Sequence, residues 1–275
     1  MPESEDKNVV EKASEVSLSS KAPIQCIQSA KNSDSLKQPP SLVFTHGAGG
    51  TLKTESIAKF ANGFAEHEPI ICFQGSMNLK SRVNMFEVVC KDQDFFRCLG
   101  GRSMGARAAI MASTSETTHL VLVSYPLHTT KETRDEILLN LPKDVKVMFI
   151  SGDHDNMCDI ERLEEVRKKM KAKSWLCVVR GADHGMSMKP KTATEAMVKH
   201  TGWIAADWLQ HSEEMATHTT ISWNAEAGNP VSETIADVEE LNPKTAAIPK
   251  RKRPHGKSSM ETSHTGEAPK RKRRK

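Results

Sequence analysis

Between Ser41 and Gln210, short apolar runs alternate with longer amphipathic stretches. The runs are Leu42–Thr45, Pro69–Phe73, Phe95–Leu99, His119–Ser124, Val145–Ile150 and Ser174–Val179. Each is short and almost wholly apolar, as a strand covered on both faces must be. Helical patterning occupies the intervals, around Thr54–His67, Leu79–Cys90, Met104–Thr114, Glu132–Leu139, Ile160–Met170 and Thr192–Leu209. Strand and helix in strict succession predict an α/β domain, a mostly parallel sheet of about six strands with helices on both faces. Ligands of such sheets gather beyond the carboxyl ends of the strands. The strand ends here run into Thr45-His46-Gly47, Leu99-Gly100-Gly101, Ser151-Gly152-Asp153 and Arg180-Gly181-Ala182.

The flanks read differently. Residues 1–40 mix Ser, Lys and Glu with little periodicity and predict a flexible leader; residues 211–275 predict a disordered tail, leaving 41–210 as the folded domain. The formal charge of +4 conceals a division. From Pro243 to Lys275 twelve Lys or Arg face two acids, a net of +10, so residues 1–242 carry −6. Lys250–Arg253 and Lys270–Lys275 carry the tail, and such clusters suit a nuclear import receptor or contact with phosphates. The expected address is nuclear, with the cytoplasm also open. No stretch nears the roughly 18 consecutive apolar residues of a bilayer span, so no membrane partner is expected. The opening MPESEDKN has neither the basic cluster nor the apolar centre of a secretory signal. Six scattered cysteines read as reduced core residues.

Gly101-Arg102-Ser103-Met104-Gly105 fits G-x-S-x-G, with a predicted strand running in and a predicted helix running out. Alone the pattern is only suggestive; in this context it describes a sharp turn that exposes a serine at the sheet's carboxyl edge. A serine hydroxyl needs a base to take its proton and an acid to orient that base. The expected chain order is Ser, then Asp or Glu, then His. Asp153 and Asp155 both follow the strand Val145–Ile150, and His184 follows the strand Ser174–Val179. His46, His128 and His154 compete for the base, but His184 alone follows both serine and acid on the last strand's loop. Oxyanion donors are expected from the backbone amides of Met104 and of Gly47 and Ala48 in the glycine-rich loop His46–Gly50. A phosphate-cradle reading of that loop fails for want of Gly-Lys-Ser/Thr. The cluster Asp153, His154, Asp155, Cys158, Asp159 lacks metal-ligand spacing, so neither metal nor cofactor is expected. Arg102 and Arg107 flank the turn and could favour an acidic substrate, but read rather as solvated, or Arg107 as paired with an acid on the helix face.

These residues resemble an α/β-hydrolase. More narrowly, Gly100–Arg107, Ser124-Tyr125-Pro126-Leu127-His128 and Ser151-Gly152 through Asp155–Cys158 resemble the hydrolase-like family that includes the testis-expressed hydrolase-like protein and the third subunit of the NSL histone acetyltransferase complex. The resemblance implies Ser103, Asp155 and His184 as a catalytic triad, Asp155 being preferred over Asp153 by the family's Ser-Gly-x-x-Asp pattern. It also implies two functional branches: a serine hydrolase of carboxylester or thioester type, acting on a small or carrier-linked acyl substrate, and a non-catalytic module in a nuclear or chromatin-associated complex. Larger hydrolases begin their sheet with antiparallel strands, which here are missing or lie in the leader. Tyr125 to Lys143 leaves no room for a cap domain, so an open site is expected.

Overall fold

The computed structural model describes residues 9–18, 21–130 and 132–235. The core strands are β3 (Leu42–Thr45), β4 (Ile70–Phe73), β5 (Cys98–Arg102), β6 (His119–Val123), β7 (Lys146–Gly152) and β8 (Lys173–Val179). All adjacent pairs among them are parallel, in the order β4-β3-β5-β6-β7-β8. Side chains alternate across a strand, and each run is apolar throughout because both faces are covered. Val43, Ile71, Leu120, Leu122, Val147 and Phe149 face one layer; Phe44, Cys72, Val121, Met148 and Ile150 face the other.

Four helices cover the first face: α2 (Leu79–Gln93), α3 (Met104–Ala112), α4 (Glu136–Leu139) and α5 (Ile160–Arg167), which contribute Phe86, Val89, Ala109, Leu138 and Leu163. On the opposite face α1 (Glu55–Ala65) and α6 (Lys191–His211) bring Ile57, Phe60, Phe64, Met197 and Trp208. The six cysteines are buried and unpaired. Among the described residues no helix is long and apolar enough to cross a membrane.

The sheet has ten strands rather than the expected six. The predicted leader holds β1 (Val10–Leu18) and β2 (Lys21–Ala30), an antiparallel pair joined to the sheet where β2 runs antiparallel to β4. These are the antiparallel strands whose place the sequence left open. Beyond residue 211, where a disordered tail is expected, β9 (His218–Asn224) adds parallel to β8 and turns back through a hairpin into β10 (Asn229–Ile235). Strands at a sheet's flanks need less apolar surface. Among the β1 residues whose burial is described only Val16 is buried, and in β9 only Ile221 among the apolar residues, so neither stretch offers a continuous run to read. The remainder of the tail, with both basic clusters, lies outside the described residues.

β5 starts three residues later than expected. Asp94 ends α2 in the left-handed region with φ 48°, and the Phe95 amide donates back to the Cys90 carbonyl, so Phe95 and Phe96 close the helix instead of opening the strand.

Candidate active site

β5 delivers Ser103 into a backbone conformation that L-residues rarely adopt, φ 53° and ψ −115°, before α3 begins. Such strain persists only where surrounding structure enforces it. Here the Ser103 amide donates to the Val123 carbonyl of the neighbouring strand at 2.9 Å. The flanking glycines are required by contact: a Cβ on Gly101 would lie 2.4 Å from the carbonyl carbon of Gly105, and one on Gly105 2.6 Å from the carbonyl oxygen of Thr45. No other residue lets α3 leave the sheet at this angle.

Two further strand ends converge on this turn. After β7, Asp155 is buried, its amide donating to the Gly152 carbonyl while its Oδ1 accepts from the Met157 amide at 2.8 Å. After β8 the chain turns at Gly181, φ 75°, and presents His184. The loops touch at Gly152, where a Cβ would fall 2.0 Å from the Ala182 carbonyl oxygen. The result is a hydrogen-bonded line. Ser103 Oγ lies 2.9 Å from His184 Nε2, and His184 Nδ1 lies 2.9 Å from both carboxylate oxygens of Asp155. With Nδ1 protonated toward the carboxylate, Nε2 is left as an acceptor for the hydroxyl proton.

The competing residues are occupied elsewhere. Asp153 Oδ1 accepts from the Gly181 amide at 2.6 Å and its Oδ2 faces Arg180, so it ties the two loops together. His128 Nε2 accepts from the Asp159 amide, and His154 is exposed. His46 is buried beneath the glycine-rich loop: its Nδ1 donates to the Gly47 carbonyl, while its Nε2 accepts from the Gly75 amide at 3.0 Å. Burial holds its pKa below the usual imidazole value.

Gly47 runs against the serine turn, where a Cβ would sit 3.3 Å from Ser103 Cβ. Met104 is the first residue of α3, and such an amide has no carbonyl partner within its own helix. Gly47 and Met104 thus lie beside Ser103, Met104 as its chain neighbour and Gly47 across the turn. The Gly49 amide is turned away and donates to Met77 Sδ.

Two arginines behave in ways that their positions in the chain do not reveal. Arg102 is half-buried rather than free in solvent: its Nη2 donates to the His184 carbonyl, bracing the base's loop. Burial lowers its pKa, while Asp155 and Asp183 oppose that shift. Arg82 of α2 is completely buried, its Nη1 donating to the His46 carbonyl and its Nε to the Ser76 carbonyl at 2.8 Å. Nothing in the spacing of α2 marks it, since one arginine on an amphipathic helix reads as a surface charge. Among the described residues, no cluster of three or more His, Cys, Asp or Glu is arranged to hold a metal ion.

A mixed sheet of this strand order, with a strained serine between strand and helix and an acid and histidine after later strands, defines one architecture. The chain has the α/β-hydrolase fold. Residues 77–210 match the family model described as alpha/beta hydrolase domain. Solved structures agree on the fold at low identity. Est1E from Butyrivibrio proteoclasticus superposes with a TM-score of 0.54 at 13% identity, covering 70% of this chain and 99% of its own. Alpha/beta hydrolase domain-containing protein 10 from mouse gives 0.53 at 11%, covering 72% and 98%. The thioesterase domain from the curacin biosynthetic pathway gives 0.52 at 12%, covering 69% and 99%. In this fold the segment between β6 and β7 holds the four-residue α4 and an isolated bridge, His128 to Thr133. On the far side of Asp155 from the serine, a depression of about 520 Å³ is lined by His128, Asp153, Asn156 and Asp159; neither Ser103 nor His184 lines it.

Proposed function

We propose that the protein is a serine hydrolase of carboxylester or thioester type. The observation that carries this is the unbroken contact from Ser103 Oγ through the His184 ring to a buried Asp155 carboxylate. Ser103 Oγ attacks the acyl carbonyl carbon as His184 Nε2 takes its proton, and the carbonyl oxygen becomes an oxyanion held by the amides of Met104, Gly47 and Ala48. Collapse breaks the bond to the leaving alcohol or thiol, which receives the proton from His184. Water, deprotonated by the same ring, then attacks the acyl-Ser103 ester and frees the acid. The Asp155 carboxylate holds the ring's tautomer.

The likeness to a thioesterase domain keeps thioesters beside esters. An uncapped site buries little of a small substrate, which favours acyl groups borne on a larger carrier. The narrower kinship with the hydrolase-like family rests on Gly100–Arg107, Ser124–His128 and Ser151–Cys158, and is part of this reading. So is a nuclear address carried by Lys250–Arg253 and Lys270–Lys275.

A serine-directed fluorophosphonate probe tests the reaction. Wild type should be labelled and Ser103→Ala should not, while Ser103→Ala or His184→Ala lowers ester turnover by up to about 10⁶. Absence of labelling on folded wild type, or a loss of less than about tenfold, would leave the fold as a binding platform in a nuclear complex.

A further inference from the structure

A guanidinium in a protein interior is costly unless it is paired, yet Arg82 has no carboxylate partner among the described residues and its Nη2 has no partner there at all. Burial pushes its pKa down to about 10, which leaves it cationic at neutral pH. Space has been kept for it: a Cβ on Gly75 would lie 2.5 Å from Arg82 Nε. What the charge touches is the back of the loop that follows β3. Nη1 donates to the carbonyl of His46 and, at 3.4 Å, to that of Gly47. The Gly47 carbonyl also accepts from His46 Nδ1 at 2.7 Å, and the far side of that ring is held by the Gly75 amide and Gln74.

The geometry of the peptide unit turns these contacts into an aiming device. A trans peptide is planar, with its C=O and N–H pointing in opposite directions. The His46 carbonyl and the Gly47 amide share one unit; the Gly47 carbonyl and the Ala48 amide share the next. Drawing both carbonyls onto Arg82 points both amides away from it. A cationic donor on a carbonyl also polarises the unit and strengthens its N–H as a donor. A neutral side chain would fasten the loop without that second effect.

We propose that Arg82 is a positioning residue for the reaction, holding and polarising the peptide units of His46–Ala48 so that the Gly47 and Ala48 amides receive the oxyanion. The inference rests on the hydrolase reading of Ser103. Arg82 meets no substrate atom and acts through the loop.

The test uses the full chain, p-nitrophenyl acetate as substrate and fluorophosphonate titration to count competent Ser103 sites, with thermal unfolding to establish that each variant is folded. Arg82→Met should lower kcat per titrated site by about 100-fold, the scale of one lost oxyanion donor, with KM within threefold of wild type. Arg82→Lys, which restores charge without the fork, should recover about tenfold of that loss. Affinity for phenylboronic acid, whose tetrahedral adduct places an oxygen where the oxyanion forms, should fall in step with kcat/KM. A purely structural role would instead lower the number of titratable sites and leave turnover per site unchanged.

Wild-type turnover per site in a folded Arg82→Met or Arg82→Lys protein, or a loss confined to KM, overturns the role given to Arg82 and leaves the hydrolase reading standing. Should Arg82→Met not fold, Arg82→Lys decides by the same criterion. A wild-type protein that neither titrates nor turns over ester removes the hydrolase reading, and this inference with it.

Discussion

His119 opens β6 half-buried, with its ring edge-on to Trp208 at 5.4 Å and Nδ1 2.9 Å from Thr118 Oγ1. Burial drives its pKa down to about 4; Lys146 and Arg97 lower it further and Glu213 opposes them. The unfolded chain therefore takes up a proton near pH 6.5 that the folded protein refuses until about pH 4. Stability contributed by the neutral ring is complete above pH 6.5 and drains away as pH falls toward 4, by about 2 kcal/mol after allowance for partial exposure. Urea unfolding across that range should show a steeper decline for wild type than for His119→Phe, which keeps the aromatic contact without the titration; parallel curves would refute the assignment. The same scale shows what local sequence reveals. Ser103 and His184 were singled out because each follows its own strand beside glycines, as do both Asp153 and Asp155, between which the family resemblance chose Asp155. Arg82 and Arg102 were not, because a guanidinium's destination depends on which distant carbonyls the fold leaves unpartnered, and the two carbonyl sites lie 36 and 82 residues away along the chain.

Helices α1 and α6 meet backbone to backbone. A Cβ on Gly63 would fall 1.8 Å from the Lys199 carbonyl oxygen, and one on Gly202 2.0 Å from that of Phe60. Neither obstruction is a side chain that can swing aside, so Gly202→Ala must push the helices apart and open the layer around Phe60, Phe64 and Met197. We expect a loss of about 2–3 kcal/mol in thermal or urea unfolding, at the upper end for overpacking because main chain must move. A melting temperature unchanged from wild type would show that the contact yields freely. Periodicity located both helices, but not their contact. It also overextended α4, expected from Glu132 and found from Glu136, because Thr133 bridges to His128 and the Arg134 amide donates to the Leu127 carbonyl. Those bonds join segments that no helical period relates.

Charge separates the molecule more sharply than any motif. Residues 1–242 carry −6 and the last 33 residues +10, so the tail has a chemistry that the folded part cannot supply. Fused to a cytoplasmic reporter, Lys250–Lys275 should concentrate it in the nucleus, and substituting the basic residues of both clusters by alanine should abolish the effect. A reporter that stays outside the nucleus defeats the nuclear address while leaving the hydrolase reading untouched. Sequence alone determined the parallel core, because a strand buried on both faces must be apolar along its whole length and that demand is written within four to seven residues. It also determined the order serine, acid, histidine along the chain. Tertiary structure decided the rest: the flanking strands β1, β2, β9 and β10, which pair with neighbouring strands and carry no continuous apolar run, and the meeting of the Ser103, Asp155 and His184 side chains. Both depend on partners far along the chain, and only the assembled sheet brings those partners within a hydrogen bond's reach.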